Sequence, residues 1–477
     1  MTLLEQSSTQ TTSFRDPAGF FWTQDKQAFR WVSPNYQKDV LEFLSHSSTQ
    51  EWMKEKRLVQ TKLLSSEAQK AALKVFSNIT SGIVLEHSKV RFPSYPYEWS
   101  PEMLFNAAQL TLDLASKALE FGYSLKDATP YNVLFEGPHP CFIDFLSFEK
   151  RNPLDGTWKA YGQFVRTFLL PLLAQKKLGI PLKETFLGSR DGIHTSDLYK
   201  KLGLFERLQP SIFGLITLPE WLSKIYKSSS SPSYQSKLFS DPQQASFVLK
   251  SLFKHLQKSL NRLKPPTHSS AWSGYGDCTH CTPEYQQIKE NWIRDFMQEH
   301  PVTSVFDIGC NTGHYSRLFA SYNASLISVD LDTAVIDSLS KQNRENNLDI
   351  LSLVIDLAWP SPALGWDNLE TKSFLDRAKG YFDGVLMYAI IHHLLISAQI
   401  PLPHIVRLIS QLTQKWLIIE YVAPQDPMFQ ALTRGRMDLY KDFNVEFFEK
   451  HFSESFEIVR KKEIVSQPRV LYWMRKR

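Results

Sequence analysis

Hydrophobic positions in the second half of the chain come in short runs, and most of these runs end at an acid. Ser304 to Ile308 is an apolar strand that leads into Gly309. Leu326 to Val329 ends in Asp330, and Ile350 to Ile355 ends in Asp356. Tyr381 to Tyr388 reads as a fourth strand, and Trp416 to Glu420 as a fifth. Helical stretches alternate with these runs, which predicts an α/β domain of Rossmann-like design. Glu284 to His300 precedes the set and predicts a helix that caps the sheet.

The connection after the first of these strands reads Gly309-Cys310-Asn311-Thr312-Gly313, with a helix expected to begin near Tyr315. Glycine lets backbone pass close to a ligand, and asparagine tolerates left-handed backbone angles. Asp330, at the tip of the second strand, is suited to accept hydrogen bonds from ribose hydroxyls. Two cofactor classes use this geometry, dinucleotides and S-adenosylmethionine (SAM).

The first half follows a different pattern. Gly19 to Trp22 and Ala28 to Val32 alternate around Gln24-Asp25-Lys26, which predicts a hairpin. A helix is expected near Tyr36 to Leu44 and a strand over Ile83 to Val90. Ser100-Pro101-Glu102 starts a helix, with serine as cap and proline at the first helical position; it runs to Phe121 and stops at Gly122. Residues 158–225 look mainly helical, Lys227 to Pro242 is a candidate exposed loop, and Ala245 to Leu263 is again helical. Lys264-Pro265-Pro266-Thr267 is the best domain boundary. The expected organisation is a loose tail over 1–13, an α+β domain with a helical C-terminal part over 14–265, and the Rossmann-like domain over 268–477.

Composition adds bounds. A chain of 477 residues is too long for one core, so two or more domains are expected. A hydrophobic fraction of 43% favours a folded protein, and a net charge of +5 is too mild to signal nucleic acid. The longest apolar run, near Phe164 to Ala174, is too short to span a bilayer and is interrupted by Arg166. There are four cysteines. Cys278-Thr-His-Cys281 has no second ligand pair at a suitable spacing, so no metal site is expected. Few cysteines and no signal peptide point to a reducing cytoplasm. Nothing in the sequence gives the oligomeric state.

The turn from Asp307 to Gly313 resembles motif I of class I SAM methyltransferases, and Ala389-Ile390-Ile391-His392-His393-Leu394 is similar to the segment after their fourth strand. In the first half, Asp127, Asn132 and Asp144 have the spacing of the protein-kinase catalytic loop and its magnesium-binding acid. With the preceding helix and Ile143-Asp144-Phe145, this resembles small-molecule kinases of the aminoglycoside phosphotransferase type. Departures are plain. Leu125 stands where kinases usually have histidine, Leu146 replaces the glycine of Asp-Phe-Gly, and residues 14–60 carry no G-x-G-x-x-G. The phosphate-binding lysine is unassigned, with Arg30 a candidate for its place.

Across nearly its full length the chain is similar to a bacterial family of two-part SAM methyltransferases, some of them nodulation-protein-like. Ser94-Tyr95-Pro96-Tyr97-Glu98-Trp99, Ser124 to Ala128, Phe142-Ile143-Asp144, Leu146 to Glu149, Asp356 to Pro362 and Leu364-Gly365-Trp366 carry that likeness. It implies methyl transfer from SAM to an acceptor, small molecule or otherwise, that the sequence does not identify. Gly309, Asn311 and Gly313 would admit the amino-acid end of SAM and Asp307 its ammonium. Asp330 would take the ribose hydroxyls and Asp356 the adenine amino group, with Leu357 against the ring. A hydroxyl or protonated amine acceptor needs a base, for which His392 and His393 are the candidates; Tyr388, Glu420 and Tyr421 also end strands on that side.

Three function classes are open at this point. The first is a methyltransferase whose N-terminal domain binds substrate or is structural. The second is a bifunctional methyltransferase and kinase using Asp127, Asn132 and Asp144. The third is a binding protein with both sites inactive. The intact glycines and acids favour the first over the third. The missing glycine-rich loop and lysine favour it over the second.

Overall fold

Seven strands form the larger sheet, five parallel and two antiparallel. β9 (Ser304–Ile308), β10 (Ser325–Asp330), β11 (Ile350–Val354), β12 (Phe382–Met387) and β13 (Thr413–Val422) are the parallel strands. β14 (Phe456–Ile464) and β15 (Arg469–Lys476) complete the order β11-β10-β9-β12-β13-β15-β14, with β15 antiparallel to both of its neighbours. The computed structural model describes residues 16–24, 27–74, 76, 79, 81–209, 212–226, 237–266 and 282–477. The chain divides into two units, one from residues up to Glu136 with Pro140–Pro266, the other from Gly137–His139 with Thr267–Arg477.

In the second unit the chain runs from β9 outward to β10 and β11, then returns to the other side of β9 with β12 and β13. This reversal opens a crevice at the carboxyl ends of β9 and β12, where open α/β sheets bind their ligands. The helix α3 (Pro283–Glu299; α1 and α2 lie in the first unit) is capped by Thr282 and lays Trp292 and Phe296 on the sheet. The rings of Trp292 and Trp473 lie 4.6 Å apart. α4 (His314–Ala320) and α5 (Thr333–Glu345) follow β9 and β10. Each of the five expected parallel strands is present within a few residues of its reading. The β14–β15 hairpin was not anticipated. β14 carries Glu457, Arg460, Lys461, Lys462 and Glu463 and lies at the sheet edge, where charge discourages pairing with another chain.

The first unit holds a four-stranded antiparallel sheet in the order β1-β2-β4-β3: β1 (Gly19–Gln24), β2 (Gln27–Val32), β3 (Thr61–Leu63) and β4 (Ile83–His87). The β1–β2 hairpin forms where expected and buries Phe20, Trp22, Phe29 and Trp31 against Phe76 and Val84, but burial does not alternate along β2, where every residue after Gln27 is buried. α1 (Pro101–Ala118) begins as read, with the Ser100 hydroxyl accepting from the Met103 amide. Its end is tighter than the pattern suggested. Leu119–Phe121 turns as a 3₁₀ helix before Gly122 adopts φ +83°. A pair, β5 (Tyr123–Leu125) with β8 (Phe148–Lys150), encloses a hairpin of β6 (Val133–Glu136) and β7 (His139–Phe142). Helical segments fill most of 161–226, and α2 (Pro242–Arg262) starts at the end of the region read as a loop. Residues 227–236 of that region lie outside the described residues, as do Cys278 and Cys281. Among the described residues no helix is long and apolar enough to cross a membrane.

Candidate functional site

The turn after β9 adopts the backbone that its residue types allow. Gly309 has φ +72°, Asn311 +48° and Gly313 +74°. The amides of Gly309 and Cys310 both donate to the Val329 carbonyl, at 2.9 and 3.0 Å, which ties the turn to the end of β10. The Asp330 carboxylate accepts from the Asn311 amide and from the Asp332 amide, each at 3.0 Å. Asp330 therefore holds the turn's shape and also lines the cavity.

That cavity has a volume of about 880 Å³ and lies at the carboxyl ends of the parallel strands. Asp307, Gly309, Asn311, Asp330, Asp356, Leu357 and His393 all line it. These seven come from four separate stretches of chain. Two expected site residues are placed differently. Gly313 does not line the cavity, and a Cβ there would come within 2.4 Å of a Leu339 methyl. Its glycine is required by positive φ and by packing. His392 is fully buried away from the cavity, and neither ring nitrogen has a hydrogen-bond partner among the described residues. Burial, with the neighbouring His393, lowers its pKa to about 3. His393 lies on the cavity wall, and burial holds it below the usual imidazole range. It opens a π-helical turn, His393–Ser397, a distortion common at functional sites.

Asp307 is 3% exposed and accepts from the Ser316 hydroxyl, which in turn accepts from Ser328 at 3.0 Å. Burial raises its pKa to about 7 despite the Ser316 hydrogen bond. A buried carboxyl so raised is a group prepared for a cationic partner. Asp356 turns its own loop by accepting from the Ala358 amide at 2.9 Å. Leu357 is almost fully buried beside it, and Leu331 is exposed at the cavity rim.

Sequence reasoning missed two features. Ala389, two residues after β12, has φ +53° and lines the cavity; strain at a residue with a Cβ is stored preferentially at functional sites. The second is a buried ionic cluster. Lys289 Nζ donates to Glu420 Oε2 at 2.9 Å, and Arg469 donates from Nη1 to Glu420 Oε1 at 3.4 Å and from Nε to Asp426 Oδ2 at 2.8 Å. The Tyr285 hydroxyl donates to Glu420 and accepts from Arg469 at 2.7 Å. Burial alone would raise the Glu420 carboxyl, but Lys289 and Arg469 together hold it well below the usual range. Tyr285, Lys289 and Arg469 line the cavity. The i,i+4 spacing of Tyr285 and Lys289 was the one local signal available.

A family model described as a methyltransferase domain matches residues 306–411. The nodulation protein NoeA of Rhizobium meliloti (strain 1021) is 31% identical over 468 residues, covering 96% of this chain and 94% of that protein. Among solved structures, the N-methyltransferase NodS from Bradyrhizobium japonicum WM9 matches with a TM-score of 0.30 at 12% identity, over 41% of this chain and 97% of its own. The PH0226 protein from Pyrococcus horikoshii OT3 matches with a TM-score of 0.30 at 14% identity, over 41% of this chain and 92% of its own.

Proposed function

We propose, for a chain that belongs to the family of nodulation protein NoeA and is a SAM-dependent methyltransferase, that the cofactor occupies the cavity above β9 and β12 and that His393 serves the acceptor. The observation that carries this reading is the convergence of Asp307, Gly309, Asn311, Asp330, Asp356, Leu357 and His393 on one cavity. The donor set fits the group. Asp307 is a buried carboxyl suited to an ammonium, Asp330 is a carboxylate beside the turn for ribose hydroxyls, and Asp356 with Leu357 suits a base. Bound there, SAM supplies a methyl group activated by its sulfonium.

The chain's own residues bind, orient and move a proton. Asp307 fixes the ammonium, Asp330 the ribose, and the turn at Gly309 sets the approach of the backbone. Positioning of this kind is a large share of the catalysis in group transfer. His393 is neutral at pH 7 and can take a proton from an acceptor hydroxyl or amine. His392 is fully buried and does not line the cavity, so it is left out of the acceptor role. S-adenosylhomocysteine should raise the melting temperature of the wild type, and His393→Ala should keep that shift while losing turnover once an acceptor is found. A wild type that shows no shift refutes the cofactor assignment.

For the first unit we propose a kinase-like scaffold that recognises substrate or has a structural role, without phosphotransfer. Its support is the order of α1, the Asp127–Asn132 loop, the β6–β7 hairpin and then Asp144. Arg30 Nη1 lies 3.0 Å from Asp144 Oδ1, and the Ser147 hydroxyl donates to the same carboxylate. The Asn132 amide donates to Ser147 at 3.2 Å and to the Asp127 carbonyl at 3.4 Å. These bonds use the Asn132 nitrogen and the Asp127 backbone carbonyl, while Arg30 neutralises the Asp144 carboxylate that would hold magnesium in a phosphotransfer site. Magnesium-dependent stabilisation by ATP that disappears in Asp144→Ala would refute the non-binding part of this reading. ATP turnover that also needs Asp127 would establish the bifunctional alternative.

A further inference from the structure

Surface helices normally turn their apolar side chains inward. In one part of the first unit they turn outward. The short helices Leu204–Arg207 and Leu218–Tyr226, with the residue that caps the first, carry six large apolar residues that face solvent. Leu204 is 75% exposed, Phe205 91% and Leu208 62%, while Leu218, Trp221 and Leu222 are at 41, 43 and 42%. Leu204 and Leu208 stand at i and i+4, and Leu218, Trp221 and Leu222 at i, i+3 and i+4, so each set shares one helix face. Hydrogen bonds join the two sets and tie them to the helix Thr195–Lys201. The Thr217 hydroxyl donates to the Arg207 carbonyl at 2.7 Å, and Trp221 Nε1 donates to the Tyr199 hydroxyl at 3.2 Å. The Arg207 guanidinium lies 4.0 Å from the centre of the same tyrosine ring. Leu208 and Leu218 each follow directly on a partner of the first bond, which makes them neighbours. Together the six form an apolar patch of a kind that monomeric surfaces rarely leave bare.

Charge indicates what covers it. Lys200 and Lys201 are exposed on the turn before Leu204. Residues 176–227 hold nine Lys and Arg against five acids, whereas the whole chain has 54 against 49, so most of the positive excess falls in this stretch. Of the acids beside the patch, Glu206 is engaged in accepting from the Gly203 amide at 2.9 Å, which leaves Asp197 and Glu220. Leucines and aromatic rings that protrude beside lysines match a bilayer interface. There the apolar tips enter the acyl boundary and the ammonium groups stay among anionic headgroups. A protein partner would need a pocket shaped for Phe205, whereas acyl chains close around any shape. We propose that this face of the first unit docks on an anionic lipid bilayer. The contact is peripheral and made through side chains, since no described helix is long and apolar enough to cross a membrane.

The test is flotation of the full chain with two kinds of vesicle, phosphatidylcholine alone and phosphatidylcholine with about one third phosphatidylglycerol. Wild type should float with the anionic vesicles. It should bind neutral ones about tenfold more weakly or less, and salt at about 0.5 M should release it from the anionic ones. Leu204→Ser/Phe205→Ser should weaken binding by at least about tenfold, the effect of withdrawing two apolar side chains from the acyl boundary. Lys200→Ala/Lys201→Ala should weaken binding to anionic vesicles by about twentyfold and change binding to neutral ones by less than about twofold. All four residues are exposed, so both variants should keep the wild-type melting temperature. A wild type that does not float with anionic vesicles overturns the proposal, as does equal binding to the two kinds of vesicle or variants that bind as the wild type does. A wild-type dimer in sedimentation equilibrium that Leu204→Ser/Phe205→Ser dissociates would assign the patch to a second copy of the chain, and would overturn it equally.

Discussion

Asp307→Asn isolates a group whose ionisation links folding to cofactor binding. Its carboxyl is raised from 3.8 to about 7 by burial in the ligand-free protein. Between those two values the folded protein holds a proton that the unfolded chain has released. Stability therefore falls as pH rises through this window, with a limiting slope of about 1.4 kcal/mol per pH unit. From pH 5 to pH 7 the loss attributable to Asp307 is about 2 kcal/mol, and above pH 8 it levels off. Asparagine cannot ionise, and its carbonyl can still accept from Ser316. Urea unfolding of wild type and variant at pH 5, 6, 7 and 8 should show the variant gaining on the wild type by about that amount. Cofactor binding should respond in the opposite sense. The ammonium of SAM needs the ionised carboxylate, so affinity should rise several-fold from pH 6 to about 7.5. It should fall again once the α-amino group, with pKa near 8, loses its proton. Asp307→Asn should lose the acid limb of that curve. A stability difference that stays flat from pH 5 to 8 would refute the reasoning, because Asp307 would then be ionised throughout.

Asp330→Ala should weaken SAM binding by about tenfold to a hundredfold, and it should also destabilise the turn, since the Asn311 and Asp332 amides lose their acceptor; equilibrium dialysis with labelled SAM decides, and unchanged affinity would remove the ribose assignment. Gly309→Val should abolish binding and cost about 2 kcal/mol of stability, from positive φ and from a Cβ set 2.0 Å from an Ile390 methyl, unless Ile390 moves into the cavity; native affinity in this variant would show that the turn does not face the cofactor. The fragment 268–477 should fold alone, carrying the whole seven-stranded sheet; a soluble fragment lacking near-ultraviolet dichroism would count against an autonomous domain.

Much of the second unit was legible because its signals are local. Each parallel strand is a short apolar run that ends in a recognisable residue, and the Gly309 to Gly313 turn needs backbone angles that only a few residue types accept. What stayed hidden depends on distant pairing. β14 is charged along most of its length and becomes a strand because β15 pairs with it. Glu420 is legible in the sequence as a strand-end acid and no more. Its partners Lys289 and Arg469 lie 131 and 49 residues away in sequence, and no periodicity connects them. The difference between His392 and His393 is one residue of phase on a turn whose π-helical geometry the sequence did not announce. Gly313 sits in the sequence where a ligand contact is expected, whereas its neighbour is Leu339, on the helix after β10.

SAM is expected to occupy the cavity above β9 and β12 without help from a metal ion. The most direct test is calorimetric titration of SAM into the full chain in the presence of a chelator, with Asp330→Ala as the comparison. One molecule bound per chain, with affinity lost in the variant, is the expected result. Absence of binding in the wild type, or binding that appears only when a divalent metal is restored, would contradict it.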